Sequence, residues 1–333
     1  MTTHTQPADS VFARSQLRTV FRRIAAGPAT PTTLFLVLLI IGISVVNPAF
    51  IRVDNLQAIL AQSSIVALIA LGVNQVIIAG EIDISVGSLL GLCTVAAGTV
   101  AATTDGFILP FVTAVVIGLA AGTVNGFLVT RLRIPSIVAT LGMLYALSGI
   151  LLITASGAQI VGFPKSTGFL GNGTVGGVSV SILVLVLAFI VLTAVSRFTT
   201  WGRDVFAVGD NEAAAKLAGV RVERVRFGTF VLVGGLTGVA GMIYLGQFNA
   251  VQPNVGTGLE LQVVAAVVIG GTSIVGGRGS TLAPVIGAVL VTVVFNALIL
   301  LGVPNEWTDV VSGALILIAL LFDTVRRRIT EKP

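Results

Sequence analysis

The fold class is decided by an uncharged run of apolar residues, LAPVIGAVLVTVVFNALILL, at residues 282–301. A helix needs about 20 such residues to cross a hydrocarbon core about 30 Å thick, because each residue adds about 1.5 Å of rise. The run is continuously apolar, whereas a strand of a membrane barrel alternates apolar and polar residues. It therefore predicts a membrane-spanning helix.

Similar runs recur along the rest of the chain. Of its 333 residues, 55% are hydrophobic and 10% are charged, whereas soluble domains carry about 25% charged residues. The 39 glycines suit closely packed membrane helices. We predict an all-α integral membrane protein with about ten transmembrane helices, at residues 32–50, 56–80, 84–104, 107–129, 136–155, 179–196, 227–248, 261–276, 282–301 and 308–322.

The basic residues predict the orientation, because Lys and Arg collect on the cytoplasmic side. With the N-terminus inside and ten crossings, all of the 19 Lys and Arg residues lie inside except Arg52 and Lys165. We therefore predict a cytoplasmic N-terminal tail (1–31), a transmembrane domain (32–323) and a cytoplasmic C-terminal tail (324–333). The net charge of +5 then reflects contact with the lipid bilayer, and we expect no nucleic-acid partner.

Residues that carry catalytic or metal chemistry are scarce. The single histidine, His4, lies in the polar tail, and the single cysteine, Cys93, lies in an apolar run. We expect no disulfide, metal site or cofactor, and no catalytic residue. No G-x-x-x-x-G-K-[ST] phosphate loop is present, so the chain is not expected to hydrolyse ATP itself. The first 30 residues lack the pattern of a cleaved signal peptide.

The inner loop 197–226 contains the signal for one short helix at 212–218. Asp210 or Asn211 can cap its start, Glu212 places an acid in its first turn, and Gly219 can end it. A short exposed helix with small side chains either completes the loop or fits a groove on a partner protein. The helix pattern leaves both interpretations open.

Four motifs resemble the permeases of ribose-type importers in the ATP-binding-cassette superfamily. One is Gly209-Asp210-Asn211-Glu212-Ala213-Ala214, followed by Leu217-Ala218-Gly219-Val220. The others are Ile82-Asp83-Ile84-Ser85-Val86-Gly87-Ser88, then Asn125-Gly126 with 134–142, and 257–261 with the glycine pairs at 270–279. The resemblance covers the chain beyond about residue 30.

The resemblance implies a division of labour between subunits. Gly209, Asp210, Asn211, Glu212, Ala213, Ala214, Leu217 and Gly219 would form the coupling element that docks on an ATPase. Two such ATPase subunits, a second permease subunit (homodimer or heterodimer) and a periplasmic sugar-binding protein would complete an inner-membrane sugar importer. Among sugars we favour a pentose such as ribose. The outer loop 156–178 is a candidate contact for the delivering protein.

Glycine-interrupted regions at 80–91 and 270–279 indicate the translocation path, since broken helices free backbone groups to bind polar solutes. Glu81 and Asp83 are expected at the inner boundary, within reach of water. Each candidate polar residue can instead form a hydrogen bond between helices. The candidates for the path are Asn74, Gln75, Asp83, Ser85, Asn125, Gln262 and Asn296.

Two other kinds of transporter stay open. A branched-chain amino-acid permease would share the architecture. An ion-coupled secondary transporter would need ionisable residues at mid-membrane, where this sequence has few.

Overall fold

The computed structural model describes residues 30–155, 159–304, 307, 310–318 and 321. Helices account for nearly all the regular structure in these residues, and the predicted all-α membrane class is confirmed. Apart from Thr30 and Pro31, which begin the first helix, both predicted tails lie outside the described residues.

The helices and strands are numbered in the order in which they follow one another along the chain. The helices are α1 (Thr30–Val46), α2 (Val53–Ile78), α3 (Val86–Ala101), α4 (Ile108–Thr130), α5 (Ser136–Thr154), α6 (Phe169–Asn172), α7 (Val180–Phe198), α8 (Thr200–Asp210), α9 (Glu212–Leu217), α10 (Val222–Phe248), α11 (Leu259–Ile269) and α12 (Leu282–Leu300). Single 3₁₀ turns lie at Pro48–Ile51 and Lys165–Gly168. Strand β1 (Ile160–Val161) pairs antiparallel with β4 (Ala250–Val251), and β2 (Thr174–Val175) pairs with β3 (Val178–Ser179).

Six helices in the described residues are long and apolar enough to cross a membrane: α2, α4, α5, α7, α10 and α12. Helices α1, α3 and α11 are apolar but shorter. Residues 310–318, inside the tenth predicted span, are also helical.

The predicted span 261–276 is wrong over its second half, because α11 ends at Ile269 after 11 residues. Gly271, Gly276 and Gly277 have positive φ, a backbone conformation that ends a helix and that glycine adopts without steric cost. The predicted span 84–104 is similarly shortened to the 16 residues of α3. Apolar composition could not reveal the end of α11, because the glycines interrupt the helix without adding charge.

The inner loop 197–226 contains more helix than its sequence predicts. Helix α8 occupies Thr200–Asp210, where no helix was predicted, and α10 begins at Val222 rather than at residue 227. The Thr199 side chain caps α8 by accepting a hydrogen bond from the Gly202 N–H at 3.1 Å. Mixed charge and two glycines hide α8 from a search for apolar runs.

The core is built on close backbone contact between α4 and α10. A Cβ atom on Gly118 would overlap the Gly234 carbonyl, and one on Gly122 would overlap the Phe230 carbonyl. The same holds for Gly238 against the Ala114 carbonyl, at 2.5 Å. Small residues four positions apart on both helices let the two backbones touch, as in membrane helix pairs generally.

Helices α3 and α11 begin beside each other and run to opposite ends of the bundle. Gly87, in the first turn of α3, lies against Gly256, just before α11. Gly98, 11 residues and so about 16 Å further along α3, lies beside Val251 of β4. At the other end of the bundle, beyond α11, Gly277 lies against Ile78 at the end of α2. The two helix N-termini therefore meet at about half the depth of the bundle.

Replacing Gly118 with valine should weaken the α4–α10 contact. The added side chain has no room, and overpacking of this kind costs about 1–3 kcal/mol. Gly149→Val is the matched control, because a Cβ atom on Gly149 of α5 has no neighbour within 4 Å. We expect a lower melting temperature in detergent for Gly118→Val than for Gly149→Val. Equal melting temperatures would contradict the proposed contact.

Candidate functional site

Helix α9 presents an exposed apolar surface at one end of the bundle. Asn211 caps it by accepting a hydrogen bond from the Ala214 N–H at 3.0 Å, and Gly219 follows it with φ at +84°. Ala213 and Ala214 are exposed, and Leu217 is 91% exposed. The predicted short helix is therefore present, and Asn211, rather than Asp210, is its cap.

Arg226 of α10 joins α9 to the glycine-interrupted segment 80–91, here called the first broken region; the segment 270–279 is the second. Its Nη2 lies 2.9 Å from Glu212 Oε2, and its Nε lies 2.9 Å from Glu81 Oε1. The side chains of Arg226 and Glu81 are only 20% and 13% exposed, so solvent screens this pair weakly. Glu81, which the sequence places at the inner boundary, thus forms an ion pair with Arg226 that links two segments of the chain.

Glycines bring α8 into direct contact with both broken regions. The Gly277 N–H donates to the Ile78 carbonyl at 2.9 Å, and a Cβ atom on Gly209 would overlap that carbonyl. A Cβ atom on Gly277 would lie 2.6 Å from Asp210 Cα. The end of α2, the loop after α11 and the end of α8 therefore meet at one point.

Asp83, Ser85 and Asn125 form one buried polar cluster. The Ser85 N–H and hydroxyl both donate to Asp83 Oδ1, at 2.9 and 2.7 Å. The Asn125 amide donates to Ser85 Oγ at 2.8 Å and to Asp83 Oδ2 at 3.3 Å. Asp83 is 1% exposed, so its expected access to water is wrong. Its carboxylate is instead bound by the chain that follows it and by α4.

Side chains of α5 form hydrogen bonds with the non-helical backbone of the first broken region. The Ile82 N–H donates to Ser136 Oγ at 3.2 Å, and the Thr140 hydroxyl is 3.4 Å from the Ile82 carbonyl. Non-helical backbone at membrane depth requires such partners. The motifs at 82–88 and 134–142 are thus two sides of one contact.

The remaining path candidates lie elsewhere. Asn74 Oδ1 accepts from the Thr272 hydroxyl at 2.6 Å, and its amide donates to the Ser280 carbonyl at 3.3 Å. Gln75 is fully buried, and its side-chain amide has no hydrogen-bond partner among the described residues. Asn296 exchanges hydrogen bonds with Asn55, and Gln262 is half-buried on α11. The structure thus separates the seven candidates into several groups.

Comparison with known proteins places this arrangement in a family. Residues 55–320 match the family described as branched-chain amino acid transport system / permease component. The chain belongs to this permease family. The match includes both broken regions, α8 and α9.

Individual relatives cover most of the permease. It is 40% identical over 291 residues to the autoinducer 2 import system permease protein LsrC of Enterobacter sp. (strain 638), covering 86% of this chain and 84% of the relative. It is 34% identical over 296 residues to the ribose import permease protein RbsC of Escherichia coli (strain K12), covering 88% and 92%. No solved structure matches the permease.

Sequence reasoning missed two charged residues with specific positions. The sequence indicates only that Arg226 contributes to membrane orientation, whereas in the structure it is the cation that joins Glu81 and Glu212. In the sequence Glu260 is only one residue of the motif at 257–261, whereas in the structure it is a half-buried acid at the start of α11. Glu260 could have been identified from the sequence, because an acidic residue inside an apolar span is a functional candidate.

The side chains around Glu212 favour the ionised form of its carboxyl group. The hydrogen bond from Lys216 lowers the pKa of Glu212, and Arg226 lowers it further against the opposing effect of burial. A lowered pKa means that the ionised pair contributes its stabilisation above the ordinary pKa of glutamate. That contribution is lost as the pH falls through the lowered value, so α9 is fully anchored at neutral pH.

Replacing Arg226 with glutamine should loosen α9 from the bundle. The change leaves Glu81 half-buried without its cation, at an expected cost of about 1–3 kcal/mol. Arg224→Gln, at an exposed position on the same helix, is the control for loss of one positive charge. Limited proteolysis around residues 209–220 should be faster in Arg226→Gln only. Equal rates in both variants would argue against the anchor.

Proposed function

We propose that the chain is the membrane-spanning permease subunit of an ATP-binding-cassette importer for a sugar, with a pentose such as ribose as the leading candidate. The observation that carries this proposal is the exposed face of α9, anchored through Arg226 and Gly209 to both broken regions. A partner that pushes on α9 would move the ends of α2 and α11 directly.

The substrate class rests on the relatives and on the polar residues of the path. The two relatives are named for import of ribose and of autoinducer 2. A sugar needs hydrogen bonds and no counter-charge, and uncharged amides and hydroxyls supply them. The proposed path residues are Asn74, Gln75, Asp83, Ser85, Asn125, Gln262 and Asn296.

The proposed topology has ten spans with both termini in the cytoplasm, in the inner membrane. Six long helices, three shorter apolar helices and the helical residues 310–318 supply ten segments. The positive residues favour the orientation that places α9 inside. An intracellular ATPase would then reach the exposed Leu217.

The proposed assembly contains two ATPase subunits, a second permease subunit as homodimer or heterodimer, and a periplasmic sugar-binding protein. ATP would be hydrolysed on the ATPase subunits, with no catalytic role for this chain. The hairpin β2–β3 exposes Val175 and Val178 at the end opposite α9, where a delivering protein would dock. Movement of α9 would be passed to the helices as a rigid-body shift.

The first experiment is purification of the tagged permease from detergent-solubilised membranes, followed by mass spectrometry. Recovery of a P-loop ATPase and a solute-binding protein is the expected result. The binding protein is then screened by thermal shift against ribose, autoinducer 2 and leucine. A shift with leucine alone would favour the amino-acid permease that the family description names. Recovery of the permease alone, with uptake that collapses with the proton gradient, would indicate an ion-coupled transporter.

Charge changes on the exposed face of α9 should abolish coupling. Glu212→Lys, Ala214→Arg and Leu217→Glu should insert into the membrane at wild-type levels and lose co-purification of the ATPase. Glu223→Lys is the control, because Glu223 is an exposed acid in the first turn of α10. Normal co-purification and uptake in the three α9 variants would refute the docking role.

A further inference from the structure

A cavity of about 210 Å³ opens where α3 and α11 begin. It lies between the first turn of α3, the second half of α5 and the segment that leads into α11. Leucines of α5 form its apolar wall. Its polar lining residues are Ser88, Ser148, Asn254, Thr257 and Glu260.

Three of the five polar side chains in this cavity are not used by the fold, whereas Ser88 donates to the Ser85 carbonyl at 3.4 Å. Among the described residues, the side chains of Ser148, Asn254 and Thr257 have no hydrogen-bond partner. A serine inside a helix ordinarily donates to the carbonyl four residues earlier, as Ser44 does to Ile40. Ser148 of α5 makes no such bond, so its hydroxyl is free to bind a solute.

Glu260 brings a carboxylate to the same cavity. Oε1 accepts a hydrogen bond from the Gly258 N–H at 3.2 Å, and Gly87 lies against Oε2. No basic side chain in the described part of the chain lies within salt-bridge distance of it. A carboxylate in an apolar span is costly to keep without a cation, although the N-terminal position on α11 favours it.

We propose that this cavity is the point where the permease itself binds the translocated solute, an uncharged polyhydroxylated molecule. Glu260 accepts hydrogen bonds from two solute hydroxyls, while Ser148 and Thr257 bind further hydroxyls. An ionised carboxylate is an acceptor only and can take several donors, which suits vicinal hydroxyls. The inference rests on the proposed importer function and adds the place of contact.

The geometry also suits passage through the membrane. The cavity lies where the two short helices meet, at about half the depth of the bundle. The first turn of each helix contains N–H groups that have no intrahelical partner, although those of Gly258 and Leu259 donate to Glu260 and to the Gly256 carbonyl. In transporters with broken helices, solute sites lie near the membrane midplane between such ends. Gly87, Gly91 and Gly256 let the start of α3 pack directly against the segment before α11, next to the cavity.

The test uses the complete importer, reconstituted in proteoliposomes with its binding protein. Glu260→Gln keeps the size of the side chain and removes its charge. We expect uptake of radiolabelled ribose to fall about tenfold or more, the effect of losing charge-assisted hydrogen bonds, with co-purification of the ATPase unchanged. Glu223→Gln, an acid in the first turn of α10, is the control and should transport normally. Normal uptake by Glu260→Gln would overturn the inference.

Cysteine labelling separates failure of the cavity from failure of the importer function. Ser148→Cys should react with a soluble maleimide, and ribose should slow that reaction. Thr103→Cys, exposed near the far end of α3, should be labelled at one rate with or without ribose, and the native Cys93 is buried. Labelling of Ser148→Cys that ribose leaves unchanged would overturn the cavity site. Absence of ribose uptake by the wild-type complex would overturn ribose import, whereas protection by ribose would still support the cavity.

Discussion

The hydrogen bond from the Gly277 N–H to the Ile78 carbonyl holds the two broken regions together. Ile78 is the last residue of α2, and its carbonyl would otherwise be buried without an intrahelical donor. Backbone groups in a membrane protein must find partners inside the protein. This constraint explains why the loop after α11 returns to α2, and why glycine stands at 277, where φ is +70°.

The same point of contact makes α8 and α9 part of the bundle. Gly209 packs on the Ile78 carbonyl, and Arg226 binds both Glu81 and Glu212. These contacts connect α9 to the end of α2 and to the loop that follows α11. The proposed coupling between two distant sites would require such a shared structure.

The short helices α3 and α11 place polar groups inside the membrane-spanning bundle. Each crosses about half of the bundle, and their N-termini meet beside the cavity lined by Glu260. The extended stretch before α3 is stabilised by Ser136 and Thr140 of α5. Polar backbone is thus available at mid-depth while the surrounding helices remain apolar.

Local composition was sufficient to predict the membrane class, most helix positions and the capped helix α9. Each depends on neighbouring residues: a long uncharged run, or Asn211 before Glu212 and Gly219 after it. The four motifs were also sufficient to indicate the permease family, which the relatives then supported.

The tertiary structure alone decided which distant residues meet. The partners of Asp83, Arg226 and Gly277 lie up to about 200 residues away in sequence, and no local pattern encodes such pairings. The early end of α11 and the burial of Asp83 have the same origin. Sequence by itself thus determined what each segment can form. Packing of the segments decided which polar groups are satisfied by the fold and which remain free to bind a solute.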